Sequence, residues 1–314
     1  MRLPASIPAP SISSFQVGNV TVHFYALIIL LGITLALVIG GSRLKARGAE
    51  AGVVLDVALW AVPFGIVGGR LFHVFTHFGD YFGAGKDPKA ILYIWEGGLA
   101  IYGALIFGIV GAVIGARFAG LRLGAFVDAI APGLLLAQAI GRWGNYFNEE
   151  LFGKPTDIQW LGLEIPTSNP AFPVGLPAGT LFQPTFLYEM LWDLLGVFLL
   201  LWLERKLNLR WGRLFALYLV YYSVGRFFIE SIRIDVSDIF LGLRTNQWSA
   251  VIGVILGIAI YIRQTSRTAG NEPGVYLPGR APAEQADKVE AVEADDEIYE
   301  TADSAGDAVD SDKS

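Results

Sequence analysis

Tyr222, Arg226, Glu230 and Arg233 follow one another at intervals of 4, 4 and 3 residues, the spacing that places side chains on one face of a helix. They lie in an apolar stretch, where ionisable groups are costly and tend to mark a functional site. Arg226 is about seven residues from the end of that stretch, roughly 10 Å deep at 1.5 Å per residue. Glu230 is placed to pair with one arginine and leave the other to an anion. Two arginines against one glutamate favour an anion site over an internally neutralised network.

A second polar group lies in the run Gly141-Arg142-Trp143-Gly144-Asn145-Tyr146-Phe147-Asn148-Glu149-Glu150-Leu151-Phe152-Gly153-Lys154. Its glycines permit tight turns and close backbone approach. Arg142 has the planar fork that grips a phosphate with two hydrogen bonds. It also fits an interfacial anchor beside Trp143 and Tyr146, aromatics common at headgroup depth, and composition leaves both readings open.

Other chemistry is poorly represented. The chain has no cysteine, which excludes disulfides, thiolate metal sites and a cysteine nucleophile. His23, His73 and His77 are the only histidines. No HExxH, GxSxG, phosphate-binding glycine loop or Cys/His metal spacing occurs.

The elements that must hold these groups are membrane helices. Apolar residues make up 54% of the 314 and charged residues 17%, against about 25% charged in a soluble domain. Runs of about 20 apolar residues, enough to span a bilayer, predict seven spans near residues 22–42, 53–77, 96–117, 124–142, 185–203, 213–231 and 247–263. The first is expected to be retained and not cleaved as a secretion signal: its apolar run from Tyr25 to Gly41 is long and only Arg2 precedes it as a basic residue. Eleven basic residues flank one side of this arrangement, among them Arg43, Lys45, Arg47, Arg205, Lys206 and Arg210. Cytoplasmic loops are rich in Lys and Arg. The expected fold is therefore all-α and polytopic, with the N-terminus outside and the C-terminus cytoplasmic. The Pro- and Gly-rich loop over about 145–184, carrying Trp160, Phe172 and Phe182, is expected to form an extracytoplasmic cap.

With that orientation the polar groups collect in the outer half of the bilayer: Tyr25, Arg70, Glu96, Tyr102, Arg142, Asn145, Gln183, Tyr188, Glu189 and the sixth-helix set. Asp56, Asp128 and Asp193 lie elsewhere and suit hydrogen bonds between helices. Residues 1–267 form the membrane domain. From Thr268 to Ser314 the chain carries 13 acidic and 3 basic residues, a net −10 that leaves +4 on the rest. This tail is expected to be disordered and cytoplasmic.

The run from Gly141 resembles the signature of prolipoprotein diacylglyceryl transferases, Gly-Arg-x-Gly-Asn-x-x-Asn-x-Glu-Leu-x-Gly, through Gly141, Arg142, Gly144, Asn145, Asn148, Glu150, Leu151 and Gly153. His23-Phe24-Tyr25, Trp95-Glu96-Gly97-Gly98, Asp128-x-x-Ala131-Pro132, Gln183-Pro184-Thr185-x-x-Tyr188-Glu189 and Gly225-Arg226-x-x-x-Glu230-x-x-Arg233 agree with the same family in order and spacing. The resemblance covers about residues 18–265. It departs at Tyr102 and Gln183, where many members have histidine, the former often proposed as a base.

The resemblance implies transfer of an sn-1,2-diacylglyceryl group from phosphatidylglycerol to the lipobox cysteine of a preprolipoprotein in the bacterial plasma membrane. The implied partners are phosphatidylglycerol, the lipobox signal peptide and the lipid bilayer, with no nucleic acid, and no metal or organic cofactor is implied. Arg142 and Arg226 would bind phosphate and stabilise the leaving group, and Asn145, Asn148 and Glu150 would orient the headgroup, with Glu150 able to accept the thiol proton. Tyr25, Tyr222, Glu230, Arg233 and Gly153 complete the expected binding set. A tyrosine is mostly neutral at pH 7 and a poor general base, so Tyr102 is expected to position substrate and not to act as base. A transporter or channel for an anionic solute is the alternative, since intramembrane arginines also line ion paths. Inverted repeats, which would favour it, are not visible.

Overall fold

The computed structural model describes residues 6–82, 85–267 and 272–282. Among them, seven long helices form a bundle: α1 (Phe24–Ala46), α2 (Val53–Thr76), α4 (Ile101–Phe118), α5 (Leu123–Phe147), α6 (Thr185–Leu207), α7 (Arg213–Ile232) and α8 (Thr245–Arg267), with a five-residue helix α3 (Phe78–Phe82) after α2. Three short antiparallel hairpins punctuate it, at residues 14–23 (β1–β2), 163–182 (β3–β4) and 239–244 (β5–β6). Six helices, α1, α2, α4, α5, α6 and α8, are long and apolar enough to cross a membrane. Their outward faces carry large exposed apolar groups such as Leu30, Leu59 and Phe198, as lipid-facing helices do. The chain is an all-α, multi-pass membrane protein.

Helix α5 is the centre. Half of its apolar stretch is buried, against 17% for α1 and α8, and it packs on α1, α6 and α7. The outer pairs are α2 with α4 and α7 with α8. Lipid gives little hydrophobic drive for helices to associate, so small residues that let backbones close up take over. A Cβ at Gly103 would sit 2.3 Å from the Gly68 carbonyl oxygen, so α2 and α4 could not pack this closely with any larger residue there.

Two boundaries differ from the sequence reading. The third helix starts at Ile101, not at residue 96, because Gly97 and Gly98 take φ of 91° and 73° and break the turn. The buried Arg70 holds that turn by donating to the carbonyls of Ile91 at 2.7 Å and Gly97 at 2.7 Å. The fourth helix runs to Phe147, so Arg142 and Asn145 lie within its last two turns.

Asp128 of α5 caps α7 across the interface. Its Oδ2 accepts from the Gly212 amide at 2.8 Å and its Oδ1 from Phe215 at 2.9 Å, satisfying donors a helix start leaves open. The same end of the bundle holds Glu204 between Arg43, at 2.7 Å, and Arg47, at 2.6 Å. The acidic tail was expected to be free from Thr268, yet residues 272–282 are packed here. Val275 and Tyr276 are buried in the apolar cluster around Leu44, Val57 and Phe126. The Arg122 amide donates to the Val275 carbonyl at 2.8 Å, and the Leu277 amide to Gly120 at 2.7 Å. Val275 and Tyr276, with Ala281 packed against the same cluster, dock a run whose only charged residues are Glu272 and Arg280. Residues 268–271 and 283–314 of the expected tail lie outside the described residues.

Candidate active site

At the opposite end, α5, α6 and α7 bring Arg142, Glu189 and Arg226 together. The Arg142 Nε is 2.8 Å from Glu189 Oε2, and Arg226 Nη1 is 3.3 Å from Glu189 Oε1. Tyr222 reaches Arg142 as a hydrogen-bond partner from one turn along α7. Asp193, one turn along α6 from Glu189, is buried within electrostatic reach of both arginines.

The expected pairing of Glu230 with a single arginine is not what the structure holds. Glu230 is fully buried and meets three: Arg226 at 2.7 Å, Arg233 at 3.2 Å and Arg244 at 2.9 Å. A buried carboxylate must be paired and have its lone pairs satisfied by donors, and the three guanidiniums supply both. Asp235 takes the far side of the pair, 2.7 Å from Arg233 and 3.0 Å from Arg244. Arg233 is thus locked into the scaffold, its side chain 3% exposed, whereas Arg142 and Arg226 keep 16% and 15%. Their carboxylate partners Glu189 and Glu230 keep 6% and 0%. Around Arg142 and Arg226 the cations are thus more open than the carboxylates that hold them, while the exposed acid of the network, Asp235 at 25%, lies on the far side with Arg233 and Arg244.

The signature segment folds back beneath Arg142. Glu149 and Leu151 take φ of 51° and 60°, a region costly for side-chain-bearing residues and often found at functional sites. The double kink turns Glu150 back, so its Oε1 accepts from Asn145 Nδ2 at 2.9 Å and Asn148 Nδ2 at 3.4 Å. Arg142 Nη1 donates to Asn145 Oδ1 at 3.3 Å, joining this group to the arginines. Tyr25 of α1 lies against Gly144, where a Cβ would come 2.4 Å from the ring, within electrostatic reach of Glu150 and Arg142.

Gly153 is placed differently from the rest. Its amide donates to the Gln183 carbonyl at 2.9 Å, and an added Cβ would meet Gln183 Cβ at 2.9 Å. It lets the cap segment pass tightly and bridge to Arg233. The cap has its own core of Phe152, Leu163, Ile165, Phe182 and Phe186, with Phe172 edge-on to Phe182 at 5.5 Å. Trp160 stays exposed.

Tyr102 joins the cluster from α4 by donating to Asn246 Oδ1 at 3.1 Å. Sequence reasoning missed Asn246 and the bridging roles of Glu189, Arg244 and Asp235. Glu189 was visible as a polar residue at the start of a span and Arg244 as a loop cation, but pairing between helices has no signal in one sequence.

The comparison that decides the family covers nearly all of this architecture: the prolipoprotein diacylglyceryl transferase pattern matches residues 13–263. The chain belongs to the prolipoprotein diacylglyceryl transferase family. It is 55% identical over 304 residues to the phosphatidylglycerol–prolipoprotein diacylglyceryl transferase of Leifsonia xyli subsp. xyli, covering 93% of this chain and 91% of that one. The protein of the same name from Paenarthrobacter aurescens is 49% identical over 268 residues, 83% of this chain and 84% of its own. Phosphatidylglycerol–prolipoprotein diacylglyceryl transferase 2 of Streptomyces coelicolor is 48% identical over 279 residues, 88% and 86% of the two chains. Membership of this family makes the chain a transferase, and the family pattern spans every helix that contributes to the cluster.

Proposed function

We propose that the Arg142–Glu189–Arg226 cluster is where this transferase moves the sn-1,2-diacylglyceryl group of phosphatidylglycerol onto the lipobox cysteine of a preprolipoprotein. The observation that carries this is the pair of arginines sharing one buried carboxylate while keeping exposed cationic edges. A phosphodiester seated there would face both guanidiniums. The substrate thiolate attacks the glyceryl carbon bearing the phosphate. A C–S bond forms, the C–O bond breaks, and glycerol phosphate leaves with the electron pair. Fixed positive charge at the leaving oxygens stabilises what builds up in the transition state. The same field favours thiolate over thiol, and the thiol proton passes to Glu150.

Asn145 and Asn148 hold Glu150, Tyr222 and Tyr25 flank Arg142, and Glu230 with Arg233 supports Arg226. Gly153 serves by letting the cap lie close.

The topology belongs to the same proposal. Helix α7 carries Arg226 and Glu230 between α6 and α8 and is read as the seventh span. The excess of Lys and Arg at the Glu204 end makes that end cytoplasmic, so the N-terminus and the cap over residues 145–184 face outward in the bacterial plasma membrane.

The test is incubation of the purified protein with phosphatidylglycerol and a lipobox peptide. The peptide should gain the mass of one diacylglyceryl group on its cysteine. An unmodified peptide, with flux of an anionic solute through proteoliposomes instead, would favour the transporter reading.

A further inference from the structure

Tyr102 and Asn246 sit on helices that belong to different pairs, α4 packing chiefly on α2 and α8 chiefly on α7. The hydroxyl of Tyr102 nevertheless reaches Asn246 Oδ1 at 3.1 Å and Ser249 Oγ at 3.0 Å. The Asn246 Nδ2 in turn donates to Glu230 Oε1 at 3.2 Å, and the other oxygen of Glu230 is 2.7 Å from Arg226. One amide thus connects the phenol to the arginine cluster.

The direction of these bonds is forced by chemistry. An ionised carboxylate only accepts, so the Asn246 nitrogen must face Glu230. Its oxygen is then left for Tyr102, which must donate. With its single proton committed to Asn246, the Tyr102 oxygen has only lone pairs to offer any further partner; the Ser249 hydroxyl, 3.0 Å away, is placed to donate to one of them, and the other is left for substrate. A histidine at this position would present a ring nitrogen of its own; here the phenol's role is set from α8.

We propose that Asn246 is a positioning residue for the transfer: it takes the Tyr102 proton, fixes the phenol oxygen as a hydrogen-bond acceptor toward substrate, and ties it to Glu230. This rests on the transfer reading above. The groups suited to such an acceptor are hydrogen-bond donors, namely the headgroup hydroxyls of phosphatidylglycerol and the peptide thiol.

The experiment is a double-mutant cycle on transfer kinetics with Asn246→Ala, Tyr102→Phe and the double variant, each compared at equal amounts of folded protein. Each single change should lower kcat about tenfold, the scale of one lost hydrogen bond to a charged network, with little change in KM for phosphatidylglycerol. The double variant should be no slower than the slower single, because both remove one linked interaction. Additive losses, or wild-type kinetics in Asn246→Ala, overturn the proposal. Asn246→Asp serves if the alanine variant does not fold. Only its protonated form can donate to Glu230 and still accept from Tyr102, so its activity should rise as pH falls below the wild-type optimum, and an unshifted profile counts against the role. A wild-type protein that transfers nothing removes the underlying reading and this proposal with it. An active wild type with an additive cycle removes only the role of Asn246.

Discussion

Arg142 of α5 and Arg226 of α7 share a single carboxylate, that of Glu189, at 2.8 Å and 3.3 Å. Two cations on separate helices are thereby held at a fixed separation without being fully neutralised. Glu189→Ala should destabilise the fold by about 3–5 kcal/mol, the cost of removing one partner of a buried ion pair, and should cut transfer about a hundredfold by freeing the two guanidiniums from their fixed positions. Glu189→Gln keeps the shape and loses the charge, and should fall between alanine and wild type. Transfer assays on detergent-purified variants check this, and near-wild-type rates in Glu189→Ala would remove the bridge from the mechanism.

The two arginines should differ from a simple positive charge in their tolerance. Arg142→Lys keeps the charge but loses the fork that serves Glu189 and Asn145 at once, and should still reduce transfer markedly. Arg226→Ala should reduce it strongly and strip Glu230 of its nearest cation. Full activity in either variant, at matched protein levels, would dismiss that arginine.

Asp128 is expected to matter for stability and not for chemistry. Asp128→Ala leaves the Gly212 and Phe215 amides without their acceptor, a loss of about 1–2 kcal/mol for a helix cap. Thermal unfolding in detergent should shift down while the protein that stays folded keeps its transfer rate. An unchanged midpoint would mean that water replaces the cap.

The tail should divide at residue 282. A chain ending there should behave as wild type. One ending at residue 270 loses the buried Val275 and Tyr276, each contributing about 1.5–3 kcal/mol, and should unfold at a lower temperature. Both should retain transfer, because the site is at the other end of the bundle. Loss of transfer in folded protein truncated at 282 would show that the acidic residues act in catalysis.

Topology is open to a direct test because the chain has no cysteine. A single cysteine placed within residues 155–180 should react with an impermeant thiol reagent in intact cells, and one placed at Leu207 should not. The opposite labelling would reverse the membrane orientation and the choice of phosphatidylglycerol leaflet.

Much of this protein was determined by its sequence alone. Long apolar runs permit only spanning helices in a membrane, because the backbone there must satisfy its own hydrogen bonds, and their positions are accordingly legible to within a few residues. The run Gly141–Gly153 and the face Tyr222–Arg233 carry the site's arginines in local patterns that one helix or one turn can express. Only the tertiary structure decided the pairing. Glu189 bridges two arginines 47 and 37 residues away from it in the chain; Glu230 collects three cations; Asn246 meets Tyr102 across 144 residues. Periodicity along one helix states which side chains share a face, but which helix that face meets is set by packing. That packing depends on where small residues let backbones approach, as at Gly68 and Gly103, a choice made among all helices together and written in no single segment.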